Sequence, residues 1–180
     1  MSKDCQFASG VRVNPTSRTK LQEVAKIIRK ILQLEDTPYF PVVRFLEILQ
    51  RSQDDFEFQI VEKKELPKGL FADYKPLMRL VRIVETYYEM ANKGNGFARW
   101  TILHECCHYI LHRDQLTALA RQDNEPHKPY EDSEWQADAL ACELLMPLEM
   151  MNADMTEEEV AKTFGVSPKA ARNRLKSIRE

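Results

Sequence analysis

Residues 100–112 read WTILHECCHYILH and contain His104-Glu105-Cys106-Cys107-His108, an HExxH pattern. Two histidines four residues apart stand one above the other on one helical face. Their imidazole nitrogens can take two corners of a tetrahedral Zn²⁺ site, and Glu105, one residue round the helix, can reach a water on the same ion and serve as general base. Leu103, Cys107 and Ile110 fall at i, i+4 and i+7 on the opposite side, so the same helix can turn an apolar back to a core. A helix that merely carries two surface histidines is the plain alternative. A catalytic site needs a third protein ligand, and residues 131–147, EDSEWQADALACELLMP, offer acids for it. If Glu134 opens a helix there, Asp138 lies one turn on and could accept a hydrogen bond from the far nitrogen of a ligand histidine. Ala137, Ala139 and Ala141 are small enough to let that helix lie close against the HExxH helix. Spacing does not choose among Glu131, Asp132, Glu134 and Asp138, because acids at a helix start also favour the helix dipole.

The elements that must position these residues follow from hydrophobic periodicity. Residues before Asn14-Pro15 read as a loose lead-in. Leu21, Val24, Ala25, Ile28 and Leu32 then describe an amphipathic helix whose wet side carries Lys20, Glu23, Lys26, Arg29 and Lys30. Thr37-Pro38-Tyr39-Phe40-Pro41 breaks it, and Pro41 suits the first position of a second helix with Val42, Phe45, Leu46 and Leu49 as its apolar face. Phe56, Phe58 and Ile60 alternate with Glu57 and Gln59 as in a strand with one buried face. Leu66-Pro67-Lys68-Gly69 turns the chain, and residues 77–84 read as a second strand of a small sheet flooring the cleft. Residues 85–90 suit a short helix. The glycines of 91–96 form either a plain connection or a loop able to bind an extended peptide as an added strand. Residues 114–132, rich in charge and proline, read as an excursion over or beside the cleft.

Composition sets the class. With 180 residues and 43% hydrophobic content, one well-formed core with a small appendage is expected. A net charge of −2 gives no overall pull towards nucleic acid or anionic membrane. Apolar runs stop short of a bilayer span and the first ten residues lack a signal-type apolar core, so a cytoplasmic protein without membrane contact is expected. Cys5, Cys106, Cys107 and Cys142 sit at irregular spacings that suit small buried thiols better than disulfides. Cys106 and Cys107 point about 100° apart on a helix and cannot join both histidines on one ion.

The HExxH with a following Leu111-His112, and the pattern E-x-x-A-D-x-x-A-x-x-L-L-M-P along residues 134–147, resemble the ImmA/IrrE family of bacterial metallopeptidases. Residues 94–101, GNGFARWT, resemble the lead-in to that family's metal helix, and the likeness covers about residues 82–147. The resemblance implies a zincin-like fold with one Zn²⁺, for which Mn²⁺ can substitute in vitro. His104, His108 and Glu134 would bind the ion and Glu105 would act as base. It also implies cleavage of a protein substrate, a cognate helix-turn-helix repressor encoded nearby on a mobile element. Cys107 stands where glycine or another small residue is common and Asp138 where asparagine is common; neither change removes a ligand. His112, Tyr109 and Tyr130 are candidates for stabilising the oxyanion.

At the C-terminus Thr156-Glu157-Glu158-Glu159 is a capping box, Gly165 a stop, and Ser167-Pro168 the start of a basic helix with Ala171, Leu175 and Ile178 as its buried stripe. The pair resembles a helix-turn-helix, so a DNA-binding or repressor-binding regulatory module without proteolysis is the alternative function, with nucleic acid contacted through 156–180. A helical pair that closes the peptidase core accounts for the same residues. The expected fold is α+β: a mostly helical metallopeptidase domain, 1–150, with a small sheet, and a packed C-terminal helical pair, 151–180.

Overall fold

The computed structural model describes residues 10–115 and 126–179. Helices α1 (Arg18–Ile31) and α2 (Val42–Ser52) precede strand β1 (Glu57–Val61), strand β2 (Ala72–Lys75) and strand β3 (Leu80–Val84). Helices α3 (Glu85–Asn92), α4 (Gly96–His112), α5 (Ser133–Leu145), α6 (Glu157–Phe164) and α7 (Pro168–Arg179) follow. The protein is therefore α+β, mostly helical with one small sheet.

Helix α4 lies at the centre, packed against α5, α2, α3 and β2, while α1 covers the other side of α5. Ala137 and Ala141 are fully buried where α4 and α5 meet, so small side chains do let the two backbones approach. Leu103 and Cys107 point into the core as expected, and Cys106 and Ile102 join them. The sheet has the order β1-β3-β2, with β1 parallel and β2 antiparallel to β3. Leu80, Val81, Ile83 and Val84 of the central strand are all buried, as expected for a strand flanked on both edges and covered by helices.

Several expectations are corrected. Of the lead-in, residues 1–9 lie outside the described residues, and the rest is tied down: Val13 N–H donates to Glu131 O (2.8 Å), Thr16 N–H to Tyr130 O (2.9 Å), and Ser133 N–H to Val11 O (3.1 Å). Arg29 is not on the wet side of α1 but buried, donating to the carbonyls of Leu144 (2.6 Å), Leu34 (3.1 Å) and Thr37. Periodicity could not show this, because those carbonyls come from loop and helix ends brought in by tertiary packing. Pro41 is the residue before the first turn of α2 rather than in it. Strand β1 buries Phe56 beside it but leaves Ile60 46% exposed. Strand β2 was not expected; its Ala, Asp and Lys are poor strand formers, and it exists through pairing with β3, where Asp73 accepts two hydrogen bonds from Arg82 (2.9 and 2.6 Å). Residues 76–78 form a 3₁₀ turn instead of the start of a strand, and Arg79 takes a left-handed φ of 50° at its end.

The loop before α4 is short. Asn95 caps the helix by accepting from Ala98 N–H at 3.0 Å, and Gly96 is already helical. A Cβ at Gly96 would run into the backbone of Val166 and Ser167. This glycine lets the turn between α6 and α7 sit on the start of α4, which accounts for it without a peptide-binding role. The caps of the C-terminal pair form as read, with Thr156 and Glu159 bonding each other's backbone and Gly165 ending α6 at φ 62°, but Arg174 is buried and Ile178, expected in the buried stripe, stays partly exposed. Ser167 Oγ accepts from Ala170 N–H at 3.2 Å. Val160, Phe164, Val166, Ala171 and Leu175 share one core with α2, α4 and α5.

Candidate metal centre

Helix α4 presents His104 and His108 on one face, with ring centroids 4.7 Å apart and Nε2 atoms 3.0 Å apart. Helix α5 begins at Asp132, whose side chain accepts from Trp135 N–H at 2.9 Å, so Glu134 falls in the first turn and faces α4. Its carboxylate lies 3.0 Å from His104 Nε2 and 3.2 Å from His108 Nε2. The three side chains offer ligand atoms within 4.8 Å of one another, a group that can hold a metal ion. His108 is nearly covered whereas Glu134 is 38% exposed, so the site opens to solvent on the α5 side.

The other acids left open by spacing have different partners. Glu131 pairs with Arg12 at 3.0 Å. Asp132 accepts from Gly10 N–H (2.9 Å) and lies 2.8 Å from His127 Nε2. Asp138, one turn beyond Glu134, lies 2.8 Å from His104 Nδ1. A carboxylate can only accept there, so His104 carries its proton on Nδ1 and its Nε2 is the nitrogen available to a cation.

Electrostatics fit the same picture. Burial opposes charge on His104, but hydrogen bonds to Asp138 and Glu134 outweigh it and raise its pKa to about 10. Burial likewise opposes charge on Glu134, yet the two histidines hold its carboxyl well below the usual range. Without metal, a proton on His104 thus stands where a cation would bind. Metal uptake near neutral pH should therefore release about one proton, with apparent affinity rising about tenfold per pH unit below that pKa. Calorimetry in buffers of different ionisation enthalpy measures this, and uptake without proton release would contradict it.

Glu105 is half-buried, close enough to His104, His108 and Glu134 for their charges to act on it, and burial pushes its pKa up. The thiols of Cys106 and Cys107 are fully buried, pushed up in pKa by burial, and free of disulfides. They stay with the core and not with the histidines.

The oxyanion candidates do not gather here as such. Tyr109 is buried, donating to Asp55 Oδ1 at 2.6 Å and accepting from Arg113 at 3.0 Å. Tyr130 lends its backbone carbonyl to Gln136 and Thr16. His112 is fully buried behind His108, with Nδ1 3.3 Å from His108 Nδ1 and Nε2 3.2 Å from Gln136 Oε1. Sequence reasoning passed over Gln136 entirely. The signal for His112 was present: His104, His108 and His112 repeat every four residues and so stack along one face. The excursion expected over 114–132 falls partly on residues 116–125, outside the described residues.

Residues 91–176 match the model of the Peptidase_M78 family, described as an IrrE N-terminal-like domain. Among solved structures, a Mycobacterium tuberculosis transcriptional regulator matches with a TM-score of 0.57 at 15% identity, over 87% of this chain and 46% of its own. That likeness is one of fold, and this chain spans less than half the length of that protein. No curated protein matches the chain.

Proposed function

We propose that this chain, which belongs to the ImmA/IrrE family through its residues 91–176, is a zinc-dependent endopeptidase whose ligands are His104, His108 and Glu134 and whose general base is Glu105. The observation that carries this reading is the convergence of His104 Nε2, His108 Nε2 and the Glu134 carboxylate within 4.8 Å, open to solvent on one side. Two imidazoles and one carboxylate are a donor set suited to a catalytic zinc, since three protein ligands leave a position for substrate or water. A bound divalent cation supplies Lewis acidity, polarising a peptide carbonyl and acidifying water at neutral pH.

The chain's own residues do the rest. Glu105 takes the proton of the attacking water and passes it to the leaving amine, and its burial, which favours the protonated form, suits a group that must hold that proton between steps. Asp138 keeps the His104 ring oriented by accepting its Nδ1 proton. The substrate we propose is a cognate helix-turn-helix repressor encoded nearby, as the family resemblance implies, in a cytoplasmic setting that suits the free thiols of Cys106, Cys107 and Cys142.

Residues 151–180 we read as a pair that closes the peptidase core rather than a DNA reader. Its arginines support this. Arg174 is buried on Glu143, Arg172 pairs with Glu157 at 2.9 Å, and Arg179 donates to the carbonyls of Ala153 and Met155. Gel shifts with nonspecific duplex at low salt should show no retardation.

The metal reading is tested by Glu134→Ala, with zinc measured by elemental analysis at equal protein concentration. Loss of the bound equivalent is expected, and its full retention would place the third ligand elsewhere. The function is tested by incubating the neighbouring gene's product with the protein and zinc or manganese. An intact product under both metals would contradict the proposed substrate.

A further inference from the structure

We propose that Gln136 and His112 are positioning residues that hold His108 in its Nδ1–H form, keeping the Nε2 lone pair turned into the metal site. The proposal rests on the metal-peptidase reading above and adds residues to it on the buried side of the cluster.

The Gln136 side-chain nitrogen lies 2.8 Å from Asn14 O and 2.7 Å from Tyr130 O. Both partners are carbonyls, which only accept, so the amide cannot be turned over without losing two hydrogen bonds. Its oxygen must then face His112 Nε2, at 3.2 Å, and that nitrogen must donate. His112 is fully buried and its two nitrogens face an amide oxygen and another imidazole, surroundings that favour the uncharged ring. A neutral imidazole donating from Nε2 has an unprotonated Nδ1. That Nδ1 lies 3.3 Å from His108 Nδ1, which is therefore the donor. The remaining nitrogen of His108, Nε2, is then unprotonated and 3.0 Å from His104 Nε2, from which it accepts when no cation is bound.

Each link has one polarity, and the direction is set by two backbone carbonyls, those of Asn14 and Tyr130. The opposite His108 tautomer would leave either His112 or the Gln136 oxygen facing a like group in a buried place, an unmade hydrogen bond that burial penalises. Asp138 performs the same office for His104 with a carboxylate. For His108 the chain uses a neutral relay, which brings no further charge to the buried side of the cluster. The relay also joins the metal helix to Asn14, adding a side-chain bond to the backbone bonds that hold that segment.

Two measurements test this. In metal-free wild-type protein, the two-bond ¹⁵N–¹H correlation pattern of the imidazoles should show His108 protonated on Nδ1 and His112 on Nε2. His108 protonated on Nε2 would overturn the relay, and this experiment needs no substitution. Zinc affinity by chelator competition should fall about 10–100-fold in His112→Phe, which fills the space without an acceptor, and in Gln136→Leu. Gln136 meets the histidines through its hydrogen bond to His112; should His112→Phe fail to fold, Gln136→Leu carries the comparison. Wild-type affinity retained in Gln136→Leu would overturn the relay while leaving the metal site standing. A wild-type chain that takes up no zinc overturns the parent reading and the relay together.

Discussion

Glu105→Gln should keep the fold and the full metal equivalent and lose about 10²–10⁴-fold in kcat towards the true substrate. Gln has the shape of Glu but cannot take a proton from the attacking water. Glu105 is also absent from the group of convergent ligands formed by His104, His108 and Glu134, so its replacement leaves the cation's donors untouched. The contrast with Glu134→Ala, expected to lose metal, separates base from ligand. Measured together, zinc content, circular dichroism and cleavage rate decide the matter. Cleavage at the wild-type rate with Gln at position 105 would remove this residue as the base.

Glu143→Ala should be the most destabilising single change in the C-terminal half, at about 3–5 kcal/mol, because it strands a buried guanidinium. Glu143 and Arg174 side chains are 3% and 1% exposed, with bonds of 2.9 and 2.6 Å between them, and Arg18 adds a third contact at 3.1 Å. Arg174 also donates to Met146 O, so α7 is fixed to the end of α5. For a chain of this size the loss corresponds to a fall in Tm of about 6–20 °C. The double substitution Glu143→Leu with Arg174→Met should recover most of it, since the cost lies in the unpaired charge and not in the loss of an ion pair as such. A single-variant fall in Tm below about 2 °C would contradict this account, and with it the view that α7 is bolted to the core around α4 and α5.

Arg174 also shows where pattern reading misleads. In sequence it belongs to a run of basic residues on α7 that looks solvated or aimed at DNA, yet it is 2% exposed. Arg29 on α1 is the same case. Long cationic side chains are placed outside by default, and only the arrival of Glu143, or of the Leu34, Thr37 and Leu144 carbonyls, reverses that preference.

What the sequence determined by itself was everything that repeats or caps locally. The helical stacking of His104 on His108, the apolar faces of α1, α2 and α7, the Thr156–Glu159 box and the Gly165 stop depend on neighbours within one or two turns, and such interactions are written in spacing. What spacing left open and the tertiary structure decided was which acid faces the histidines, which strand completes the sheet, and what stands behind His108. Glu131, Asp132, Glu134 and Asp138 are chemically alike, and only the docking of α5 against α4 gives each its partner. Strand β2 has little propensity of its own and borrows its form from β3. The Gln136–His112–His108 chain joins residues from two helices and the lead-in, and its polarity is fixed by the carbonyls of Asn14 and Tyr130, which no side-chain pattern encodes.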